Sequence, residues 1–291
     1  MKIFDRLFGK NLHRDLPTLP GVYRFFDAEG KLIYVGKAKN LKRRLSQYRN
    51  AKRCKAHAKM CKIRGEAKRV EFEVCKNEFE ALALEAAIIQ DHRPKWNVAG
   101  AFHFLYPMIG LCSRDGYLYL CYTLNPDAFE HFKFHGAFRS RERTRDGFFA
   151  LTELLRLIGH AMPKAKIAKT GLVGTARGYL YGFRQISEGW QTRLEAFLTG
   201  DDFGAIEELS LQLLDRPTAV AKRKETEEKL HAIRRFWRHE IQALKSARLA
   251  AKWEGYPVSQ RDRDFVFIAL RSKGEFVPTP RGALETLKED V

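Results

Sequence analysis

Apolar and polar positions alternate with two different periods along this chain, and the clearest local pattern lies in residues 17–48. Two short apolar runs, residues 21–26 and 32–35, flank Asp27-Ala28-Glu29-Gly30, which predicts a β-hairpin closed by a glycine-containing turn. Pro17 and Pro20 keep a helix from running into the first strand. Gly36 is expected to end the second strand, and Asn40 to cap a helix with Leu41, Leu45 and Tyr48 on one side. Val70, Phe72 and Val74 alternate with Glu71, Glu73 and Cys75, predicting a third strand. Asn77 followed by Glu80 has the form of a capping box and starts a helix expected to reach about Asp91, before Pro94.

The flanks are less regular. Residues 1–16 predict a lead-in helix, with Ile3, Phe4, Leu7 and Phe8 docking on the domain that begins at Pro17. Residues 101–185 read as a second, α/β module: β-leaning runs 102–111 and 116–123 around a turn at residues 112–115, then a helix after residue 138. Residues 186–253 turn helical. One helix runs from Trp190 to Gly200, another opens at Asp201 or Asp202 and reaches Leu214, and a long charged helix comes after Pro217. Val220, Leu230, Ile233, Trp237, Ile241 and Leu244 form its apolar stripe. Residues 254–291 are expected to return to β structure, a hairpin with strand 265–270 and a turn at Ser272-Lys273-Gly274. The class is α+β, with a small domain over residues 17–100.

Charge sharpens the picture. The chain has 53 Lys and Arg against 35 Asp and Glu, a formal +18, which implies a polyanionic partner or a membrane surface. Residues 37–69 hold fourteen of those cations and a single acid, Glu66, so a phosphate-tracking surface is expected there, with Lys39, Lys42, Arg43, Arg49, Lys52 and Arg53 as its phosphate contacts. Five cysteines, odd in number and without a Cys-x-x-Cys pair, argue against a disulfide framework. Cys54, His57 and Cys61 share a helix face but lack a fourth ligand. No apolar run is long enough for a membrane span, and charges interrupt the N-terminal apolar pattern, so a cytoplasmic protein is expected.

The hairpin carries chemistry beyond its fold. Tyr23 and Tyr34 come from its two strands, Lys37 from the end of the second, and Arg44 from the first turn of the next helix. Two phenols, an amine and a guanidinium offer a proton acceptor, a group that lowers its pKa, and a phosphate clamp. Glu85 supplies a carboxylate. Its neighbours at i−4, i−3, i+3 and i+4 are Ala81, Leu82, Ile88 and Ile89, a face where a carboxylate is costly unless paired or coordinated. A buried ion pair with Arg44 or Lys37 is the structural alternative to a metal.

Gly21-Val22-Tyr23, Tyr34-Val35-Gly36, Lys37 and Arg44 resemble the GIY-YIG endonuclease domain, and the run from about residue 15 to 100 is similar to the nuclease module of UvrC and its shorter relative Cho. The resemblance implies a Mg²⁺- or Mn²⁺-binding role for Glu85 and a site role for Asn97. It further implies a metal-dependent endonuclease making a single incision, on the 3′ side, in damaged double-stranded DNA during excision repair, with UvrB and UvrA as partners. A restriction or mobile-element nuclease and a non-catalytic DNA-binding adaptor are the rivals. His135-Gly136-Ala137-Phe138 resembles the connection after the nuclease module, and residues 197–201 with Ile206 and Leu209 the lead into UvrB-interacting helices. Residues 161–186 lack the cysteines of the UvrC pattern, so no iron–sulfur cluster is expected. No RNase H-like second nuclease is expected in this length either.

Overall fold

The computed structural model describes residues 2–9, 12–97, 105–186 and 189–278. The chain divides into two compact units, residues 1–104 with 264–291, and residues 105–263.

In the first unit, α1 (Ile3–Phe8) and α2 (Leu12–Asp15) precede β1 (Gly21–Phe26), β2 (Leu32–Ala38), α3 (Leu41–Asn50), α4 (Ala58–Glu66), β3 (Arg69–Val74) and α5 (Glu78–His92). The strands form an antiparallel sheet in the order β2-β1-β3. The hairpin turn closes as its residues demand. Lys31 N donates to the Asp27 carboxylate at 2.8 Å, and Gly30 adopts φ 77°. The predicted strand end at Gly36 is corrected: β2 continues to Ala38, because Gly36 pairs with Tyr23 of β1. Asn40 caps α3 through Arg43 N at 2.8 Å, and Asn77 caps α5 through Glu80 N at 2.8 Å. The Glu80 carboxylate reaches back to Lys76 N, one residue before the cap, where the capping box proper would bond the cap's own N–H.

The sheet is covered on both faces. One side holds Phe4, Leu16, Tyr23, Phe25, Ile33, Leu41, Leu45, Tyr48 and Ile63. The other packs Val22, Val35 and Cys75 against Ala81 and Ile88 of α5. The lead-in helix docks as its pattern predicts through Phe4, which is fully buried, whereas Ile3 remains exposed.

The second unit contains β4 (Met108–Arg114), β5 (Tyr117–Thr123), β6 (Lys133–His135), α6 (Arg141–Ile158), β7 (His160–Ala161), α7 (Lys164–Ile167), β8 (Gly178–Arg184), α8 (Trp190–Thr199), α9 (Gly204–Leu214), α10 (Pro217–Ala221), α11 (Arg223–Phe236) and α12 (Gln242–Ala250). Its strands form an antiparallel sheet in the order β6-β4-β5-β8-β7. The turn expected at residues 112–115 lies instead at Asp115-Gly116, both with positive φ (52° and 73°), the two-residue turn that matches strand twist. α8 ends at Gly200, in the left-handed region at φ 86°, and the Asp202 carboxylate accepts from Gly204 N at 3.0 Å as α9 starts. The long charged helix is broken at Lys222 and passes through a π-helical turn, Trp237–Ile241, between α11 and α12. The break at Lys222 splits the expected stripe: Ile233, Ile241 and Leu244 are buried, whereas Val220, before the break, is 57% exposed. This helical stretch and the sheet share one unit.

The last correction concerns the C-terminal tail. Residues 265–270, expected as a strand, lie in α13 (Arg263–Ser272). Phe265, Ile268 and Ala269 have i, i+3, i+4 spacing, and a short apolar run is ambiguous until packing decides it. From Asp264 on, the tail belongs to the first unit, where Phe265 and Ile268 pack on Ala83 of α5, beside Phe79, Leu82, Ala86 and Ala87. Asn77 Nδ2 donates to the Glu275 carbonyl at 2.8 Å. α5 is therefore covered on two sides. Residues beyond 278 lie outside the described residues. No helix among the described residues is long and apolar enough to cross a membrane.

Candidate active site

The two glycines of the paired motif are explained by close approach. Tyr23 faces Gly36 across the β1–β2 ladder, and a Cβ at Gly36 would collide with the Tyr23 phenol. A Cβ at Gly21 would meet the Glu73 carbonyl of β3 and Leu41 of α3. Removing side chains here seats the Tyr23 ring on the sheet and brings α3 down on it.

Tyr23 is completely buried. Its hydroxyl accepts from Arg44 Nε at 3.0 Å and lies 3.4 Å from the Tyr48 hydroxyl. Burial pushes its pKa above the ordinary phenol value, the neighbouring Tyr34 adds to this, and the Arg44 charge opposes it. Tyr34, half-buried, stands beside it with ring centroids 6.1 Å apart. Lys59 Nζ sits 5.2 Å from the Tyr34 ring centroid. Arg44 also donates from Nη1 to Gln47 at 2.7 Å. Tyr48 and Lys59 are site neighbours that sequence reasoning missed. Tyr48 was legible, lying one turn after Arg44 on the same helix face. Lys59 carries no local signal, because α4 reaches Tyr34 only through tertiary packing.

Glu85 approaches from α5 to the end of β2. Its Oε1 accepts from Lys37 N at 3.0 Å, its one hydrogen bond among the described residues. Burial raises its pKa, while the Lys37 backbone bond and the Lys37 and Arg44 charges lower it. The alternative of a buried ion pair finds no support: among the described residues, no ion pair joins Glu85 to the Lys37 or Arg44 side chain, and Lys37 is exposed. Asn97 is buried and acts on the backbone. Its Oδ1 accepts from Val35 N at 3.0 Å and its Nδ2 donates to Val35 O at 2.9 Å. This amide pins the outer edge of β2 between Tyr34 and Gly36, beside a further bond from Trp96 N to Ile33 O at 3.0 Å.

The six basic residues assigned to DNA divide. Arg43, Lys52 and Arg53 are exposed, and no side-chain hydrogen bond or ion pair engages them among the described residues. Lys39 pairs with Glu78 at 2.6 Å, and Lys42 Nζ donates to the Arg14 carbonyl at 3.2 Å. Arg49 is corrected: its Nε and Nη2 clamp Asp5 at 2.6 and 2.7 Å, and Asp5 is 8% exposed. That fork holds α1 to α3 and is occupied by protein. Arg64 is likewise internal, donating to the Tyr48 and Ala51 carbonyls. Cys54 Sγ lies 3.5 Å from His57 Nδ1, while the Cys61 thiol faces the Lys52 carbonyl.

Comparison with known proteins covers this same region. Residues 19–98 match the family model described as a UvrC-like GIY-YIG domain. A UvrABC system protein C from Cytophaga hutchinsonii is 39% identical over 106 residues, which are 36% of this chain and 18% of that protein. One from Pseudomonas aeruginosa is 43% identical over 98 residues (34% and 16%). One from Hahella chejuensis is 35% identical over 157 residues, 53% of this chain and 25% of that protein. The chain thus spans a quarter or less of the length of these curated relatives. Among solved structures, the GIY-YIG N-terminal endonuclease domain of UvrC from Thermotoga maritima, bound to its catalytic magnesium, is 41% identical. The match takes in 30% of this chain and 93% of that domain, with a TM-score of 0.28. Residues 19–98 are thus similar to the UvrC-like GIY-YIG domain.

Proposed function

We propose that the first unit is a DNA endonuclease that hydrolyses one phosphodiester bond on the 3′ side of a lesion in nucleotide excision repair, with UvrB as the partner that delivers the DNA after UvrA. The observation that carries this reading is Glu85: a half-buried carboxylate with a single backbone hydrogen bond, set at the end of the strand that bears Tyr34 and Lys37 and within reach of the Arg44 charge. Desolvation without an ion-pair partner is the condition in which a cation is favoured.

The donor set suits a hard divalent cation, since Glu85 offers carboxylate oxygen and the site contains no thiolate or imidazole ligand among the described residues. The catalytic magnesium of the Thermotoga maritima domain supports Mg²⁺, or Mn²⁺, here. When bound, such an ion supplies positive charge beside the scissile phosphate and the leaving oxygen. Tyr34, in its phenolate form, accepts the proton of the attacking water, because it is partly exposed, whereas Tyr23 is sealed and its pKa is raised. Tyr23 serves instead to orient Arg44 through its hydroxyl. Arg44 and Lys37 hold the phosphate; Arg44 Nη2 has no partner among the described residues. Asn97 fixes β2 so that Tyr34 and Lys37 keep their register. Arg43, Lys52 and Arg53 track the flanking backbone.

The test is incubation with Mg²⁺ and a duplex carrying one bulky adduct, with and without UvrA and UvrB, beside the Glu85→Gln variant. One nick 3′ of the adduct, dependent on UvrB and reduced more than about 100-fold in the variant with DNA affinity retained, is the expected result. A variant nicking at the wild-type rate overturns the assignment. Helper-independent cutting of undamaged DNA at one sequence moves the protein to the restriction class.

A further inference from the structure

From Arg156 to Ile186 the chain has six cations and no acid: Arg156, Lys164, Lys166, Lys169, Arg177 and Arg184. All six are exposed, and no ion pair engages any of them among the described residues. This differs from ordinary surface charge, which is mixed in sign. Unlike the basic run of the first unit, this one shows no cation consumed by the fold.

The stretch frames an aromatic surface. Tyr179, at the start of β8, is 49% exposed. Its ring packs edge-on against Phe149 of α6, with centroids 4.9 Å apart, and lies 6.1 Å from Tyr122, its partner across the β5–β8 ladder. Tyr181, two residues on and on the same face of the sheet, continues the patch, 6.3 Å from Phe149, with the Arg156 guanidinium 5.4 Å over its ring. On α6, Arg145, Phe149 and Arg156 fall on one stripe, and the two arginines are separated by eleven residues, about 16 Å of helix axis. Arg145 has its neighbour Asp146 as a distant partner, at 3.9 Å; of the acids beside Phe149, Glu153 is bonded to Lys229 at 3.0 Å and Glu225 to Lys222 at 3.5 Å, while Glu228 has no ion pair among the described residues. An exposed ring held rigid by aromatic packing, with guanidinium groups at both ends, is the combination that stacks an unpaired base while holding its phosphates.

We infer that this α6–β8 face of the second unit binds a single-stranded nucleic-acid segment. The inference does not depend on the nuclease chemistry of the first unit.

The test uses the full chain carrying Glu85→Gln, which prevents cleavage, and a fluorescein-labelled oligothymidine strand of about 20 nucleotides, with anisotropy read over a salt series. Tyr179→Ala weakens single-strand binding by about 5- to 100-fold with an unchanged salt slope, and Tyr179→Phe retains it. Arg156→Ala lowers the log–log salt slope by about 0.7. Tyr117→Ala, on the opposite face of the same sheet, leaves binding unchanged. Wild-type affinity and slope in both Tyr179→Ala and Arg156→Ala overturn the inference. An equal loss on a matched duplex overturns the unpaired-strand assignment. Should Tyr179→Ala fail to fold, Arg156→Ala and Arg177→Gln carry the decision through the salt slope alone.

Discussion

Each unit holds a helix-borne glutamate turned inward, and the two are solved in opposite ways. Glu240, in the π-helical turn of the second unit, is 2% exposed and accepts three hydrogen bonds, from Arg139 N at 2.7 Å, Ser140 N at 2.9 Å and Arg143 Nε at 2.8 Å. It neutralises the N-terminal end of α6 and needs nothing more. Glu85 is less buried yet receives one backbone bond and no side-chain cation among the described residues. Depth of burial therefore does not separate the acid proposed to bind metal from the structural one. The marker is the shortfall between the charge buried and the donors supplied, which in the first unit leaves room for a ligand.

Four experiments press on that contrast. The largest effect is expected for Glu240→Gln, whose amide cannot replace three donated bonds with acceptor oxygen. Urea unfolding is expected to show a loss of about 3 kcal/mol with little change in the rate of nicking. Glu85→Gln, by contrast, is expected to lose activity without losing stability. A reversal of the two phenotypes breaks the comparison.

His135 gives a second, pH-dependent reading of the structural unit. It is fully buried, with Nδ1 3.0 Å from the Tyr256 hydroxyl and Nε2 without a partner among the described residues, and burial pushes its pKa down to about 4. Between about pH 6.5 and 4 the unfolded chain binds a proton there that the folded chain refuses. Stability is thus complete above that window and falls as the pH drops through it, by an amount on the order of 2–3 kcal/mol. Urea midpoints at pH 7 and 4.5 measure this, and His135→Gln is expected to flatten that share of the slope. The smallest effect belongs to Asn97→Ala, which frees the edge of β2 without touching a reacting group. A 10- to 100-fold fall in single-turnover nicking is expected, with DNA affinity retained.

Much of the first unit was legible because its signals are local. A hairpin turn, two Asn caps and period-two alternation need no distant partner, and the structure shows all of them. The apolar setting of Glu85 was legible in the same way, since the neighbours that create it sit one turn away on either side. What failed was decided at long range. Arg49 looks like its basic neighbours until Asp5, forty-four residues earlier, takes both of its donors. Residues 265–270 satisfy either period over so short a run, and α5 chooses between them. Gly36 reads as a strand breaker, although the missing side chain is what lets the strand continue past Tyr23. The exposed cations of residues 156–186 were not read as a group at all, because exposure is a property of the folded surface.

The return of α13 to α5 also sets an order of events during synthesis. Phe265 and Ile268, which cover one side of the helix that presents Glu85, are among the last described residues to leave the ribosome. Everything from residue 105 to 263 emerges before them. At roughly 5–20 residues per second, the first unit waits on the order of ten to thirty seconds for its own closing segment. The unit encoded first is the one completed last, and a nascent chain halted anywhere in the second unit carries the Glu85 helix without its outer cover.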